Sequence, residues 1–328
     1  MSPELLIVIA LALVFGFLNG MRDVSNIVAT MISSRAFSPR TALSIAAISE
    51  FIGPFLFGVV VAKTIADSVI ESDELTLIVI MAALLGAIVW NLITWYFGLP
   101  GSSTHALLGG LVGATWVGVG LDAIKWEGVG IVLIALFLSP LIGFGFGFLV
   151  TRLIYFLARS ATPRINFFFK NAQFFTAIGL GLSHGANDAQ KTMGIIVMSL
   201  VIAGVLPEFQ MPTGVIFASA GVMALGASLG GWRMIRTLGG RIFKIRPLHS
   251  FSTQLTSGVV ILGASLLGAP VSTSQIVSSA IVGVGSSERA SKVRWSVAED
   301  MVASWLITIP ASGLLAAGFY WLSEMWTR

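Results

Sequence analysis

The feature that most constrains this chain is the recurrence, from end to end, of apolar stretches joined by short polar connectors. Each stretch is about 20 residues long, the length that crosses a hydrocarbon core roughly 30 Å thick. Of the 328 residues, 56% are hydrophobic and 10% are charged, with a mean hydropathy of +0.93. A soluble domain carries roughly 25% charged residues. The bilayer is therefore the expected solvent, and no stretch is long enough for a soluble domain. The formal charge of +4 comes from basic residues in the connectors, which suits orientation in a membrane and gives no reason to expect a nucleic-acid partner. Cysteine is absent, which excludes disulfides, thiolate metal sites and a cysteine nucleophile. The first apolar segment follows Glu4 and lacks a basic leader, so it reads as a retained span and not as a signal peptide.

Apolar runs and turn residues predict an all-α integral membrane protein of about ten spanning segments. The first half, residues 1–158, has spans near 3–33 (interrupted at Asn19 to Asp23), 41–64, 75–98, 103–120 and 128–158. A basic linker covers 159–170. The second half, 171–328, has spans near 171–206 (interrupted at Ser183 to Asp188), 213–231, 251–268, 272–285 and 295–322. Two landmarks relate the halves. Gly20-Met21-Arg22-Asp23 recurs as Gly185-Ala186-Asn187-Asp188, and Gly98-Leu99-Pro100-Gly101-Ser102-Ser103-Thr104 recurs as Gly268-Ala269-Pro270-Val271-Ser272-Thr273-Ser274, at offsets of 165 and 170 residues. Two matches in the same order at nearly one spacing mark an internal repeat.

Charge sets the expected topology. Arg35 and Arg40, the stretch from Arg152 to Lys170, that from Arg233 to Arg246 and that from Arg289 to Arg294 form basic loops, which face the cytoplasm. The connectors at Asp67 to Glu74, Asp122 to Glu127 and around Glu208 face outward. Five spans per half satisfy these assignments, invert the second half relative to the first, and leave both termini outside the cell membrane. Two inverted-topology repeats with broken or half helices meeting near the midplane are the architecture of many secondary transporters.

Polar residues cluster inside the interrupted spans: Asn19, Arg22, Asp23, Ser25 and Asn26 in one, and Ser183, His184, Asn187, Asp188, Gln190 and Lys191 in the other. A charge near the bilayer centre costs at least about 2.5–3.5 kcal/mol, so such groups pair or line a pathway. Structural pairs Arg22–Asp23 or Asp188–Lys191 alone would not explain a duplicated Gly-x-x-Asp. The glycine is expected to let the chain leave helical geometry, freeing carbonyls that suit, with carboxylate and amide oxygens, a hard cation such as sodium; the carboxylates could equally carry protons. In the second landmark, Pro100 and Pro270 are expected to stop the preceding span, and Ser102 and Ser272 to cap the next helix. Two helix N-termini with Ser and Thr hydroxyls, arriving from opposite directions, suit one tetrahedral oxyanion. Glu50 and Gln254 each lie within an apolar span, and His105 follows the first hydroxyl tract, with Gln275 in its place in the second. A serine hydrolase using Ser102 or Ser103 with His105 or His184 is disfavoured by that exchange and by the lack of a nucleophile elbow.

The stretch Ser183-His184-Gly185-Ala186-Asn187-Asp188-Ala189-Gln190-Lys191 resembles the second-repeat signature of bacterial members of the inorganic phosphate transporter (Pit) family, as do Gly231 to Gly240, Ala269 to Gln275 and Trp295 to Pro310. The resemblance implies import of inorganic phosphate coupled to sodium or a proton, without an enzymatic step or cofactor. It points to Asp23, Asn26, Asn187 and Asp188 as ligands of a coupling cation, and to Ser102, Ser103, Thr104, Ser272, Thr273, Ser274 and Asn187 as phosphate contacts. Glu50 stands 27 residues after Asp23, where the family often has a functional glutamate, and Gln254 is read as its second-repeat counterpart. Arg22 stands where the fullest signature has Asn, which implies a fixed cation in place of one mobile ion; Lys191, His105 and Gln275 are neighbours of unassigned role. The resemblance also implies a homodimer among membrane lipid, with a cytosolic regulatory protein as a further partner. Sulfate is the alternative cargo, being a tetrahedral oxyanion that lacks only the proton a carboxylate could accept.

Overall fold

The computed structural model describes residues 2–68 and 75–327; most of the outward connector expected at Asp67 to Glu74 lies outside the described residues. Every regular element among them is helical. Helix α1 (Pro3–Asp23) starts where Ser2 Oγ accepts the Leu5 amide (3.3 Å), with Pro3 at the first helical position and Glu4 in the first turn, an N-terminus favoured by capping, by the missing proline donor and by the macrodipole. Helix α2 (Ser25–Ser33) follows after Val24 alone, and Val24 keeps helical angles with its amide on the Gly20 carbonyl at 3.1 Å. Then come α3 (Pro39–Phe57), capped by Ser38, α4 (Val60–Ser68), α5 (Leu77–Phe97), α6 (Ser103–Gly118) and α7 (Trp126–Leu157). The second half contributes α8 (Ile165–Ile202), α9 (Thr213–Leu229), α10 (Trp232–Arg236) with a π-helical turn at Thr237–Arg241, α11 (Pro247–Leu266), α12 (Thr273–Arg289) with a 3₁₀ turn at Ala290–Lys292, and α13 (Trp295–Thr327).

Two sequence expectations are corrected here. The polar segment Ser183 to Asp188 does not interrupt its helix, since α8 runs unbroken through it, and the interruption expected at Asn19 to Asp23 shrinks to Val24. The signature glycines do not break helices; they let helices touch. A Cβ on Gly185 would lie 2.3 Å from the Glu50 carbonyl oxygen of α3, and one on Gly20 would lie 2.0 Å from the Met223 carbonyl oxygen of α9. A helical glycine costs only about 1 kcal/mol of propensity, which close packing offsets. The second landmark behaves largely as expected. α5 and α11 end as Gly98 (φ 69°) and Gly268 (φ 71°) enter the left-handed region, so glycine stops each helix and the proline two residues later prevents resumption.

Among the described residues, five helical stretches are long and apolar enough to cross a membrane: Pro3–Ser33, Pro39–Phe57, Leu77–Phe97, Trp126–Leu157 and Trp295–Met325. The pair Thr213–Leu229 and Trp232–Arg241, bent by 58°, makes a sixth. Outward faces of α7 and α13 are greasy, with Leu141 67% and Leu314 72% exposed, a surface that lipid covers better than water. Apart from α8 on α11, which lies within the second half, the most extensive contacts join the halves: α1 packs on α9 and α8 on α3, while α6 packs on α13 and α12 on α7.

Apolar side chains form two main clusters with a polar layer between them. One cluster gathers Phe15, Leu84, Leu107 and Ile195; the other gathers Ile27, Leu180, Ile261 and Ile276. The chain of α1 and α2 leaves the first cluster, passes Asp23 and enters the second. Helix α8 runs the opposite way, from Leu180 past Asp188 to Ile195. Likewise α6 starts at the layer and runs into the first cluster, and α12 starts there and runs into the second.

Candidate functional site

The polar layer is assembled from four pieces of chain: the ends of α1 and α2, the middle of α8, and the starts of α6 and α12. Capping brings the hydroxyl tracts in. Ser102 Oγ accepts the His105 amide at 3.1 Å and Ser272 Oγ the Gln275 amide at 3.4 Å, leaving Ser103, Thr104, Thr273 and Ser274 in the first turns, where backbone N–H groups lack intrahelical partners. The two starts touch, since Thr104 Oγ1 donates to the Val271 carbonyl (3.1 Å) and Gln275 Nε2 lies 3.2 Å from His105 Nδ1. The Trp305 indole holds the turn before α6 through the Pro100 carbonyl at 2.8 Å.

Each aspartate takes hydroxyls from these tracts. Asp23 accepts from Ser103 (3.4 Å) and Ser274 (3.2 Å), one from each half, and Asn26 donates to Ser274 Oγ at 3.2 Å. Asp188 accepts from Thr273 (3.0 Å) and, across the halves, from Asn19 Nδ2 (3.5 Å). Each also has its own cation. Arg22 Nε sits 3.0 Å from Asp23 and Lys191 Nζ 2.5 Å from Asp188. Arg22 spends its remaining donors on Asn91 Oδ1 (2.5 Å), Thr94 Oγ1 (3.5 Å) and the Gly101 carbonyl (3.0 Å), which fixes the guanidinium between α5 and the turn before α6. His184 is the junction: Nδ1 lies 2.8 Å from Glu50 Oε1, while Nε2 lies 3.4 Å from Asp188 Oδ2 and 3.5 Å from Asn26 Nδ2. None of these residues is more than 4% exposed, so the layer is closed to solvent on both sides.

The structure thus brings together Asp23, Asn26, Asp188, Glu50, Ser103, Thr273, Ser274, Arg22 and Lys191. It does not join all the residues singled out in the sequence. Asn187 turns to Ser265 Oγ on α11 (3.0 Å) and reaches neither hydroxyl tract through a hydrogen bond. Gln254 bonds Thr176 (2.6 Å) and the Ile27 carbonyl (3.5 Å); it sits on α11, whereas the helix that packs on α1 as α3 packs on α8 is α9. The rings of His105 and His184 meet Gln275, Glu50, Asp188 and Asn26, not a serine, so the hydrolase arrangement is not assembled. Sequence reading passed over Asn91, Thr94 and the reach of Asn19 and His184; a lone Asn in the apolar run 77–97 was the available signal.

Several buried oxygens in this region have no hydrogen-bond donor among the described residues, including Glu50 Oε2, Asn187 Oδ1, Asn19 Oδ1 and Gln275 Oε1. Carboxylate and amide oxygens of this kind are the ligands a hard cation takes. The chemistry that these parts permit is recognition of an anion by hydroxyls and helix starts, beside carboxylates able to hold a cation or a proton.

A buried polar layer between two apolar clusters, reached by helix starts from both sides, defines a helical membrane protein that handles a small polar solute. Comparison with known proteins narrows the class. Residues 19–316 match the phosphate transporter family. A protein of Bacillus subtilis (strain 168), named "Probable low-affinity inorganic phosphate transporter", is 42% identical over 324 residues, 98% of this chain and 97% of that one. A Rhizobium meliloti (strain 1021) protein with the same name is 41% identical over 98% of this chain and 97% of its own length. A solved structure titled "The sodium-dependent phosphate transporter" shares the fold, with a TM-score of 0.88 and 24% identity over 99% of this chain and 100% of that chain. The chain belongs to the phosphate transporter family.

Proposed function

We propose that this protein is a symporter that imports inorganic phosphate with sodium or a proton, by alternating access between two inverted repeats, residues 1–158 and 171–328. The observation that carries the reading is the convergence, in one closed layer, of two hydroxyl-bearing helix starts with two aspartate-bearing signatures. Phosphate is held by Ser102, Ser103, Thr104, Ser272, Thr273 and Ser274 with the first-turn amides, and Asn187 joins them when α11 moves and its bond to Ser265 opens. Asp23, Asn26, Asp188 and Glu50 hold the coupling ion, and a phosphate hydroxyl donates to one of the carboxylates, which sulfate cannot do. No bond in the substrate is made or broken.

Charge supports coupling. Arg22 and Lys191 balance Asp23 and Asp188, and Glu50 pairs with the His184 imidazole, so the layer holds no surplus positive charge and an entering anion must bring it into a low-dielectric surrounding. Inversion is supported by the exchanged helix partners, by the opposite courses of α1 and α8, and by the contact between His105 and Gln275, the kind of contact that repeat counterparts near an axis between the halves would make. The basic loops set the cytoplasmic side of the cell membrane, with both termini outside. The exposed faces of α7 and α13 suit lipid or a second copy of the chain.

Uptake of radiolabelled phosphate into proteoliposomes, with sodium and proton gradients imposed separately and excess sulfate present, tests the reading. Accumulation above equilibrium under one gradient, with little competition from sulfate, is expected and names the coupling ion. Equilibration without accumulation would make the protein a channel, and sulfate accumulation would replace the cargo.

A further inference from the structure

Away from the buried layer, a cavity of about 790 Å³ opens among the basic loops. Its wall comes from four separate segments: Ser33, Ser34 and Arg35 at the end of α2; Gly239 and Lys244 at and after the π-helical turn; Arg246 at the start of α11; and Glu288, Lys292 and Arg294 around the end of α12. Five cations therefore face one carboxylate. Glu288 is engaged with Lys292 (2.6 Å), Arg246 (3.4 Å) and the buried His249 (3.4 Å). Arg35, Lys244 and Arg294 have no ion pair or hydrogen-bonded side-chain partner among the described residues. Phe243, Ile245 and Pro247 supply an apolar side to the same wall.

The backbone gives a second, independent sign. Arg35 is the one non-glycine residue with positive φ (57°) among the described residues. It sits just past α2, where its amide returns to the Ile32 carbonyl (3.0 Å) and that of Ala36 to the Met31 carbonyl (3.2 Å). Helices close this way on glycine, which takes the left-handed conformation without strain. Here an arginine is kept in a strained position at the rim of a cation-lined cavity, and strain of this sort marks sites where the side chain is used.

We infer that this cavity binds a ligand bearing several clustered phosphate groups, either a soluble polyphosphate or phosphate ester or the headgroup of an anionic lipid. A single inorganic phosphate would fill a small part of a volume that lies in the range of pockets for organic ligands, roughly 300–1,000 Å³. Clustered phosphates match separated cations, which arginine and lysine engage by charge-assisted hydrogen bonds, and basic pockets between helices at a cytoplasmic surface recognise phosphorylated headgroups. Occupancy ties α2 to α12, the two helices joined at the buried layer by the Asn26–Ser274 hydrogen bond. The cytoplasmic placement rests on the proposed topology; binding itself needs no transport, so failure of either is seen separately.

The test is calorimetric titration of inorganic tripolyphosphate into the full chain in phosphatidylcholine nanodiscs. One salt-sensitive site per chain is expected. Arg35→Gly removes a cation and relieves the backbone, so it should weaken binding about tenfold while raising thermal stability. Glu288→Gln frees Lys292 and Arg246 and should tighten binding, an opposite sign that general damage to the fold does not produce. In discs containing cardiolipin, whose headgroup carries two phosphates, loss of this binding identifies a lipid headgroup as the occupant, and its retention a soluble phosphate compound. Absence of saturable binding in phosphatidylcholine discs, or binding unchanged in Arg35→Gly, overturns the inference.

Discussion

Replacing Lys191 with methionine removes one partner of an ion pair whose two side chains have no solvent exposure and whose atoms lie 2.5 Å apart. Asp188 keeps the Thr273 hydroxyl at 3.0 Å, His184 Nε2 at 3.4 Å and the Asn19 amide at 3.5 Å. Breaking a buried pair by removing one member costs roughly 3–5 kcal/mol, because a charge is left without compensation. With three donors remaining, the lower end, about 3 kcal/mol, is expected. At about 2 °C per kcal/mol for a chain of this size, the unfolding midpoint should fall by roughly 6 °C. Removing both charges, with Lys191→Met and Asp188→Asn together, leaves no orphaned ion, so the double variant should recover to within about 1–2 kcal/mol of the parent. The assay is heat-induced change in intrinsic fluorescence of the detergent-solubilised protein, reported by its nine tryptophans. A single Lys191→Met variant that melts with the parent, or a double variant as unstable as the single, would refute the reasoning, since either would mean that the pair is not isolated from water.

The Gly185 approach predicts that Gly185→Ala, whose new carbon would meet the Glu50 backbone, costs roughly 1–3 kcal/mol by overpacking. Gly179→Ala on the same helix meets nothing within 4 Å and should be neutral or stabilising by up to about 1 kcal/mol; equal melting of the two variants would show that contact with α3 does not decide. Arg22→Asn removes a cation bonded to α5 and to the Gly101 carbonyl, and should change the sodium or pH dependence of phosphate uptake, so an unaltered ion response would exclude a coupling role. Ser272→Ala deletes the cap on the Gln275 amide and should cost about 1 kcal/mol of stability. Its KM for phosphate should rise as well, and a variant that loses stability while keeping KM would confine Ser272 to capping.

Much of this arrangement was legible because it is written twice. The two landmarks carry the residues that meet, and Ser102 and Ser272 cap helices as their spacing implied. What failed was inference from local composition to backbone shape. Gly20 and Gly185 looked like helix breakers, yet their partners are Met223 and Glu50, far away in sequence, and only the fold shows that the missing Cβ admits another helix. Gln254 was matched to Glu50 by rough position within an apolar span. Packing sets α9, and not the α11 that carries Gln254, against α1 as α3 lies against α8. Asn187 belongs to the signature by sequence, but its side chain follows its position on α8 towards Ser265. Arg22 could be flagged as an oddity from sequence, whereas its cage of Asn91, Thr94 and the Gly101 carbonyl needs the turn before α6 brought against α5.

The two signatures are not strict copies, and the difference acquires meaning from the opposite courses of α1 and α8. In the first, Arg22 precedes Asp23 and Asn26 follows it; in the second, Asn187 precedes Asp188 and Lys191 follows it. Cation and amide are four residues apart in each case, so they lie on one helix face a turn apart, in reversed order. Because α1 runs from the first apolar cluster to the second and α8 runs back, that reversal places both cations, Arg22 and Lys191, on the side of the layer towards the first cluster. Both amides, Asn26 and Asn187, fall on the other side. A faithful repeat would have put one cation on each side. In the proposed topology the first cluster faces outward, so an anion arriving from outside meets fixed positive charge before it reaches the hydroxyl tracts, and one leaving inward passes amides that hold it less strongly. On the proposed topology and repeat, exchanging two residues within a single turn thereby builds direction into the frame.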